Sequence, residues 1–112
     1  MQTEVCVRVY TADHELRAWL VDELALISPT IEVQTIDALD AAPAQLLIVG
    51  VDALSVADTA RLRELIDQRI PVIAIGAPTS GLADAPFACV LDSTPTSKQL
   101  KRAVRDSLAG GP

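Results

Sequence analysis

Leu46-Leu-Ile-Val-Gly-Val51 is apolar from end to end, with no polar residue at alternate positions. A strand with one wet face alternates with a period of two, so this run reads as a strand covered on both faces, the central position of a parallel sheet. A second run of the same kind, Val72-Ile-Ala-Ile75, follows Pro71, and proline is tolerated at the first position of a strand. Two further runs flank these in the sequence. Residues 5–10 are apolar except Arg8, whose charged head needs a carboxylate or a route to water; residues 87–91 form the last run. Residues 31–36 differ, because Ile31, Val33 and Thr35 alternate with Glu32, Gln34 and Ile36, the period of an edge strand with one wet face.

Helical patterns separate the strands. Leu16, Leu20, Leu24 and Ile27 recur at spacings of four, four and three, which form one stripe, and Pro29 ends it. Ser55 followed by Asp58 has the form of a helix start, with Leu62, Leu65 and Ile66 facing inward and Arg61, Arg63, Glu64 and Asp67 outward. Thr96 and Gln99 make a capping box ahead of the stripe Leu100, Val104 and Leu108. Two crossovers are poorer. Residues 37–42 leave room for one or two helical turns before Pro43, and residues 76–86 hold two glycines and two prolines, too many for a full helix. Strand and helix therefore alternate, which specifies a single α/β domain with a doubly wound, five-stranded parallel sheet, a shortened second helix and an eroded fourth.

Composition agrees with that architecture. At 112 residues the chain fits one domain, and a chain of this size buries roughly two thirds of the area it exposes unfolded. Half of it is hydrophobic, yet only Tyr10, Trp19 and Phe87 are aromatic, so the core is built of Val, Ile, Leu and Ala. A formal charge of -6 repels a phosphate backbone and argues against nucleic acid as a partner. Lys98, Lys101, Arg102 and Arg105 nevertheless gather on the last helix, as a local patch or a solvated face. Cys6 and Cys89 lie in apolar strands and make no metal motif, which suits reduced thiols in the cytoplasm. No stretch has the apolar length of a membrane span, and the N-terminus lacks signal-peptide character. Residues 1–109 read as the domain and residues 110–112 as a linker stub or flexible tail, expected to continue into a longer polypeptide.

Ligands and chemistry in an open parallel sheet collect beyond the carboxyl ends of the strands. Here those ends carry Thr11, Ala12, Asp13 and His14, then Gly50 and Asp52, then Gly76 and Ala77, and finally Asp92, Ser93, Thr94 and Pro95. Over almost its full length the chain resembles a bacterial response-regulator receiver domain. The resemblance rests on the hydrophobic frame, on Arg17 and Leu20 three residues apart, and on Pro95. It implies a flavodoxin-like, CheY-like sheet of order 2-1-3-4-5. It also implies an acidic magnesium-binding pair after the first strand, a phospho-acceptor Asp ending the third, a hydroxyl residue ending the fourth and a Lys before Pro after the fifth.

Every one of those chemical positions departs from the pattern. Thr11 and Ala12 stand where the acidic pair belongs, with Asp13 one position beyond; Gly50 stands at the acceptor, Gly76 at the hydroxyl and Thr94 at the lysine. Threonine and alanine offer magnesium no anionic oxygen, glycine offers no carboxylate to a phosphoryl donor, and threonine cannot neutralise a phosphate. Asp52 is the carboxylate near enough to swing back toward Gly50, but four simultaneous losses argue against rescue. The chain is identified with the degenerate, pseudo-receiver members of the family, which act through protein contacts.

Other chemistry finds little support. Asp13, Asp52 and Asp92 each follow a strand and would have to converge to hold a cation, whereas Asp is also a common turn residue. His14 has no paired nucleophile, no Gly-x-Ser-x-Gly elbow exists, and Gly76 and Gly81 lack the lysine and hydroxyl of a phosphate loop. Neither an enzyme nor a cofactor is expected. The expected function is a non-catalytic, phosphorylation-independent module for protein–protein interaction or dimerisation in bacterial signal transduction, with another protein or a second copy as partner; a small-ligand or metal-sensing regulatory domain is the alternative. Two surfaces are candidates: the first helix around Arg17 and Trp19, and the last strand and helix with Cys89, Leu91, Lys98, Lys101, Arg102 and Arg105.

Overall fold

The computed structural model describes residues 5–27, 31–36, 39, 45–52, 54–77, 82 and 87–109. In chain order the elements are β1 (Val5–Tyr10), α1 (His14–Ile27), β2 (Ile31–Thr35), β3 (Leu46–Gly50), α2 (Val56–Asp67), β4 (Val72–Ile75), β5 (Cys89–Leu91) and α3 (Ser97–Ala109). All strand pairs are parallel, and the sheet order is β2-β1-β3-β4-β5. The doubly wound sheet and its order agree with expectation. Of the segments read as a shortened second helix and an eroded fourth, the described residues include only Leu39, Gly76, Ala77 and Leu82; the rest, like the tail after Ala109, lies outside them.

Alternation along each strand divides the interior in two. Val7 and Val9 of β1, Leu46 and Ile48 of β3, and Ile73 and Ile75 of β4 pack under Leu20 and Leu24 of α1 and Leu100, Ala103 and Val104 of α3. Opposite them, Leu47, Val49, Val72 and Ala74 pack under Leu62, Leu65 and Ile66 of α2, joined by Leu39 and Leu82. Leu46–Val49 and Val72–Ile75 are buried throughout, as unbroken apolar runs require. Strand β2 lies at an edge, with Ile31 and Val33 against the core and Glu32 and Thr35 in water.

Strand β5 is shorter than its apolar run suggests. Phe87 packs on the α2 side before the strand begins, and Ala88 N–H donates to Val72 O at 2.9 Å. Cys89 and Leu91 face the α1/α3 side and are half-buried there; Val90 faces the other way and is 51% exposed. The residue that an uncovered β5 offers is therefore Val90, not the pair Cys89 and Leu91 expected from sequence.

Helix starts are specified as read. Ser55 Oγ accepts Asp58 N–H at 3.1 Å. Before α3, Thr96 Oγ1 accepts Gln99 N–H at 3.2 Å while Gln99 Oε1 accepts Thr96 N–H at 2.9 Å, the full reciprocal box. Helix α2 ends through Arg69, which takes φ +65, a conformation that side chains adopt only at a cost. Because the Thr96 box satisfies a helix-end donor that is otherwise unpaired, Thr96→Ala lowers the unfolding free energy by about 1 kcal/mol, measured as a reduced urea midpoint at unchanged slope.

Candidate functional site

All five parallel strands end at one edge, and the turns after β1, β3 and β5, with the start of α2, enclose a cleft of about 360 Å³ whose walls include Tyr10, Thr11, Asp13, Gly50, Asp52 and Ser93. Thr11, just past β1, is 4% exposed and is the one buried polar side chain among the described residues. Its Oγ1 accepts Asp13 N–H at 3.1 Å, which fixes the hydroxyl over the end of the neighbouring strand β3. A Cβ placed on Gly50 would meet that oxygen at 2.6 Å and Thr11 Cβ at 3.0 Å. The branched side chain at position 11 and the absence of one at position 50 are thus a single packing solution.

Asp52 does not swing back toward Gly50. Its Oδ1 accepts Ala77 N–H at 2.9 Å and its Oδ2 accepts the Ser93 hydroxyl at 3.1 Å. One carboxylate therefore ties together the turns that follow β3, β4 and β5. Gly76 makes this possible. It takes φ +107, a region that glycine enters freely, and a Cβ there would collide with the Asp52 carboxylate itself. The backbone at Gly76 is held in addition by its N–H, which donates to Leu91 O at 2.9 Å.

Asp13 is occupied as a helix cap: Oδ1 accepts the N–H groups of Glu15 at 3.0 Å and Leu16 at 3.2 Å, where an anion also complements the helix dipole. Arg17 Nη2 donates to Thr11 O at 2.9 Å, so its guanidinium closes the β1–α1 turn. Among the described residues no group of three or more His, Cys, Asp or Glu side chains is placed to hold a metal ion, and Asp13, Asp52 and Asp92 do not converge. Ala12, His14, Asp92 and Thr94 are exposed, and Pro95 is half-buried.

Across the cleft, Tyr10 Oη donates to Asp58 Oδ2 at 2.6 Å, joining the end of β1 to the first turn of α2. The hydrogen bond to Asp58, then burial, then the carboxylate's charge push the phenol from its ordinary 10.0 up to about 12. Of the surface candidates, Trp19 is half-buried on the flank of the α1/α3 core, and Lys98, Lys101, Arg102 and Arg105 are all exposed.

No protein-family model matches the chain, and no curated protein does. Solved structures do match. The chain is similar to a response regulator receiver domain from Clostridium thermocellum, at 15% identity and TM-score 0.74 over 95% of each chain. A chemotaxis response regulator of Vibrio cholerae is similar at 14% identity and TM-score 0.75, over 95% of this chain and 100% of that one. A protein described as pilus assembly-related, from Burkholderia pseudomallei, is similar at 18% identity and TM-score 0.77, over 100% and 95%. The chain has the CheY-like receiver fold. At identities this low the likeness is one of fold, and the carboxyl edge is judged by its own chemistry.

Within this receiver fold, two participants at the edge escape the sequence reading, Tyr10 and Asp58, as does the bond from Ser93, which the sequence places at the edge, to Asp52. Topology supplies the missing signal, since Tyr10 ends β1, Asp58 opens α2 and Ser93 follows β5, all on one rim.

Two outcomes follow from these contacts. Gly50→Ala destabilises the protein by roughly 1–3 kcal/mol through overpacking, and the penalty shrinks in a Thr11→Ala background, a non-additivity that a double-mutant cycle in urea measures. For Tyr10, the folded phenol sits above its unfolded value. Its contribution is thus fully present below pH 10 and is lost as pH rises through about 12. Unfolding curves of the protein and of Tyr10→Phe therefore differ most at neutral pH and converge in strong alkali.

Proposed function

We propose that the chain is a pseudo-receiver, a non-catalytic module for protein–protein interaction or dimerisation in bacterial signal transduction or regulation, independent of phosphorylation. The observation that carries this reading is Thr11 filling the space over Gly50. An aspartyl acceptor at position 50 would need both a side chain and room for it; the chain has neither. Asp52, two residues further on, has both oxygens engaged by Ala77 and Ser93, and Asp13 is turned to the start of α1. Phosphoryl transfer depends on positioning and charge compensation together, and the edge provides a fixed internal anion in place of a transient one.

A specific feature favours a second reading. The cleft of about 360 Å³ falls in the size range of small-ligand sites and has Asp13, Asp52 and Asp58 on its walls. A regulatory domain that senses a small cation or metabolite would reveal itself by ligand-dependent thermal stabilisation. The interaction reading is preferred because these carboxylates are already spent on hydrogen bonds within the chain.

Incubation with acetyl phosphate and magnesium, followed by intact-mass spectrometry, tests the proposal. The expected result is an unchanged mass. A stoichiometric phosphoryl adduct on Asp13 or Asp52 overturns it.

A further inference from the structure

Helices α1 and α3 both follow strands of a parallel sheet and both cover the same face, so they run side by side in one direction. Their outward surfaces carry opposite charge. On α3, Lys98, Lys101, Arg102 and Arg105 are exposed at i, i+3, i+4 and i+7, a single stripe opposite the buried Leu100, Ala103 and Val104. These are four of the nine basic residues in the chain. The one acid on the helix, Asp106, lies 3.9 Å from Arg102 with both side chains mostly in water, a pair of little consequence.

On α1 the pattern inverts. Glu15 and Asp22 are exposed and Glu23 is half-exposed, while Arg17 is turned onto the Thr11 carbonyl. Ala18 and Ala25 leave the exposed line low, and Leu26 stands on it 79% exposed. Between the helices runs a groove of about 360 Å³ lined by Glu23, Leu26 and Ile27 on one wall and Ser97, Lys98 and Lys101 on the other. Among the described residues no ion pair joins the acid of one wall to the lysines of the other.

We infer that this face binds a second copy of the chain, across a two-fold axis parallel to the two helices, with the acidic α1 of each copy against the basic α3 of the other. The inference rests on the interaction-module reading and names its partner. Charge selects the axis: a two-fold axis across the helices would stack α1 on α1 and α3 on α3, like charge on like. The parallel axis lies over the groove, so Leu26 of each copy meets its counterpart there and leaves water. Such a contact is isologous and closes as a dimer. An unrelated acidic partner would satisfy α3 and face repulsion from α1. The groove sets the last turns of α1 beside the first turns of α3, so the charges opposed across the axis are Asp22 and Glu23 against Lys98 and Lys101, a small contact in the range of weak association in which charge decides.

Light scattering and sedimentation across concentration and ionic strength are the test. A dimer at low salt that dissociates at high salt is expected. Lys98→Glu with Lys101→Glu, or Asp22→Lys with Glu23→Lys, each weakens self-association by about tenfold or more. Mixing the two variants restores a dimer, and so does combining all four substitutions in one chain, which excludes misfolding as the cause of the loss. A monomer under all conditions overturns the inference, as does a dimer indifferent to salt and to both reversals. Because neither result involves phosphoryl uptake, a monomer that takes up no phosphate removes the two-fold pairing alone, whereas an acyl-phosphate adduct removes the interaction-module reading itself.

Discussion

Strands β3 and β4 have no face to give to water: Leu46, Leu47, Ile48 and Val49, then Val72, Ile73, Ala74 and Ile75, are all buried, so their backbone polar groups must be paired along the ladders. That requirement sets the rest. Parallel pairing on both sides forces every connection to cross over, α1 and the terminal α3 cover one face and α2 the other, and all five strand ends open on the same rim. Thr11, Gly50, Asp52, Gly76 and Ser93, scattered over more than two thirds of the chain, become neighbours because of it.

The fold was legible because its signals are local and repeat. An unbroken apolar run needs two covers, a stripe at three and four needs one, and Thr96 with Gln99 marks a helix start that forms as written. Residues 87–91 mislead for a physical reason. All are apolar or small, so nothing in the run records that Phe87 is already committed to the α2 side or that Val90, one residue from two half-buried neighbours, faces water.

The edge was legible only as departures from the pattern that the resemblance implies. Matching residue types places Gly50 and Gly76 where functional side chains would stand, but it treats them as separate vacancies. The structure shows each as the complement of another side chain, Gly50 of Thr11 and Gly76 of Asp52. Such reciprocity lies in a sequence separation of 39 or 24 positions and has no period, cap or turn to announce it. The same holds for Tyr10 and Asp58, joined by a hydrogen bond across 48 positions.

These complementary pairs bear on how the domain can respond to anything. A two-state element shifts only by the difference in free energy that a ligand feels between its states. On the pseudo-receiver reading, the carboxylate that ties Ala77 to Ser93 is part of the chain and is never added or removed. The edge then holds the turns after β3, β4 and β5 in one arrangement at constant cost. A domain without a chemical input keeps mass action as its variable: how much partner is present and how tightly a fixed surface holds it. The charged faces of α1 and α3 suit that task, because their attraction needs no change of state to operate and depends on concentration and ionic strength. On that reading, the hydrogen bonds of Asp52 restrain the turns of the edge, and a restrained edge lowers the ordering cost of any contact made on the helices that rest on the same sheet.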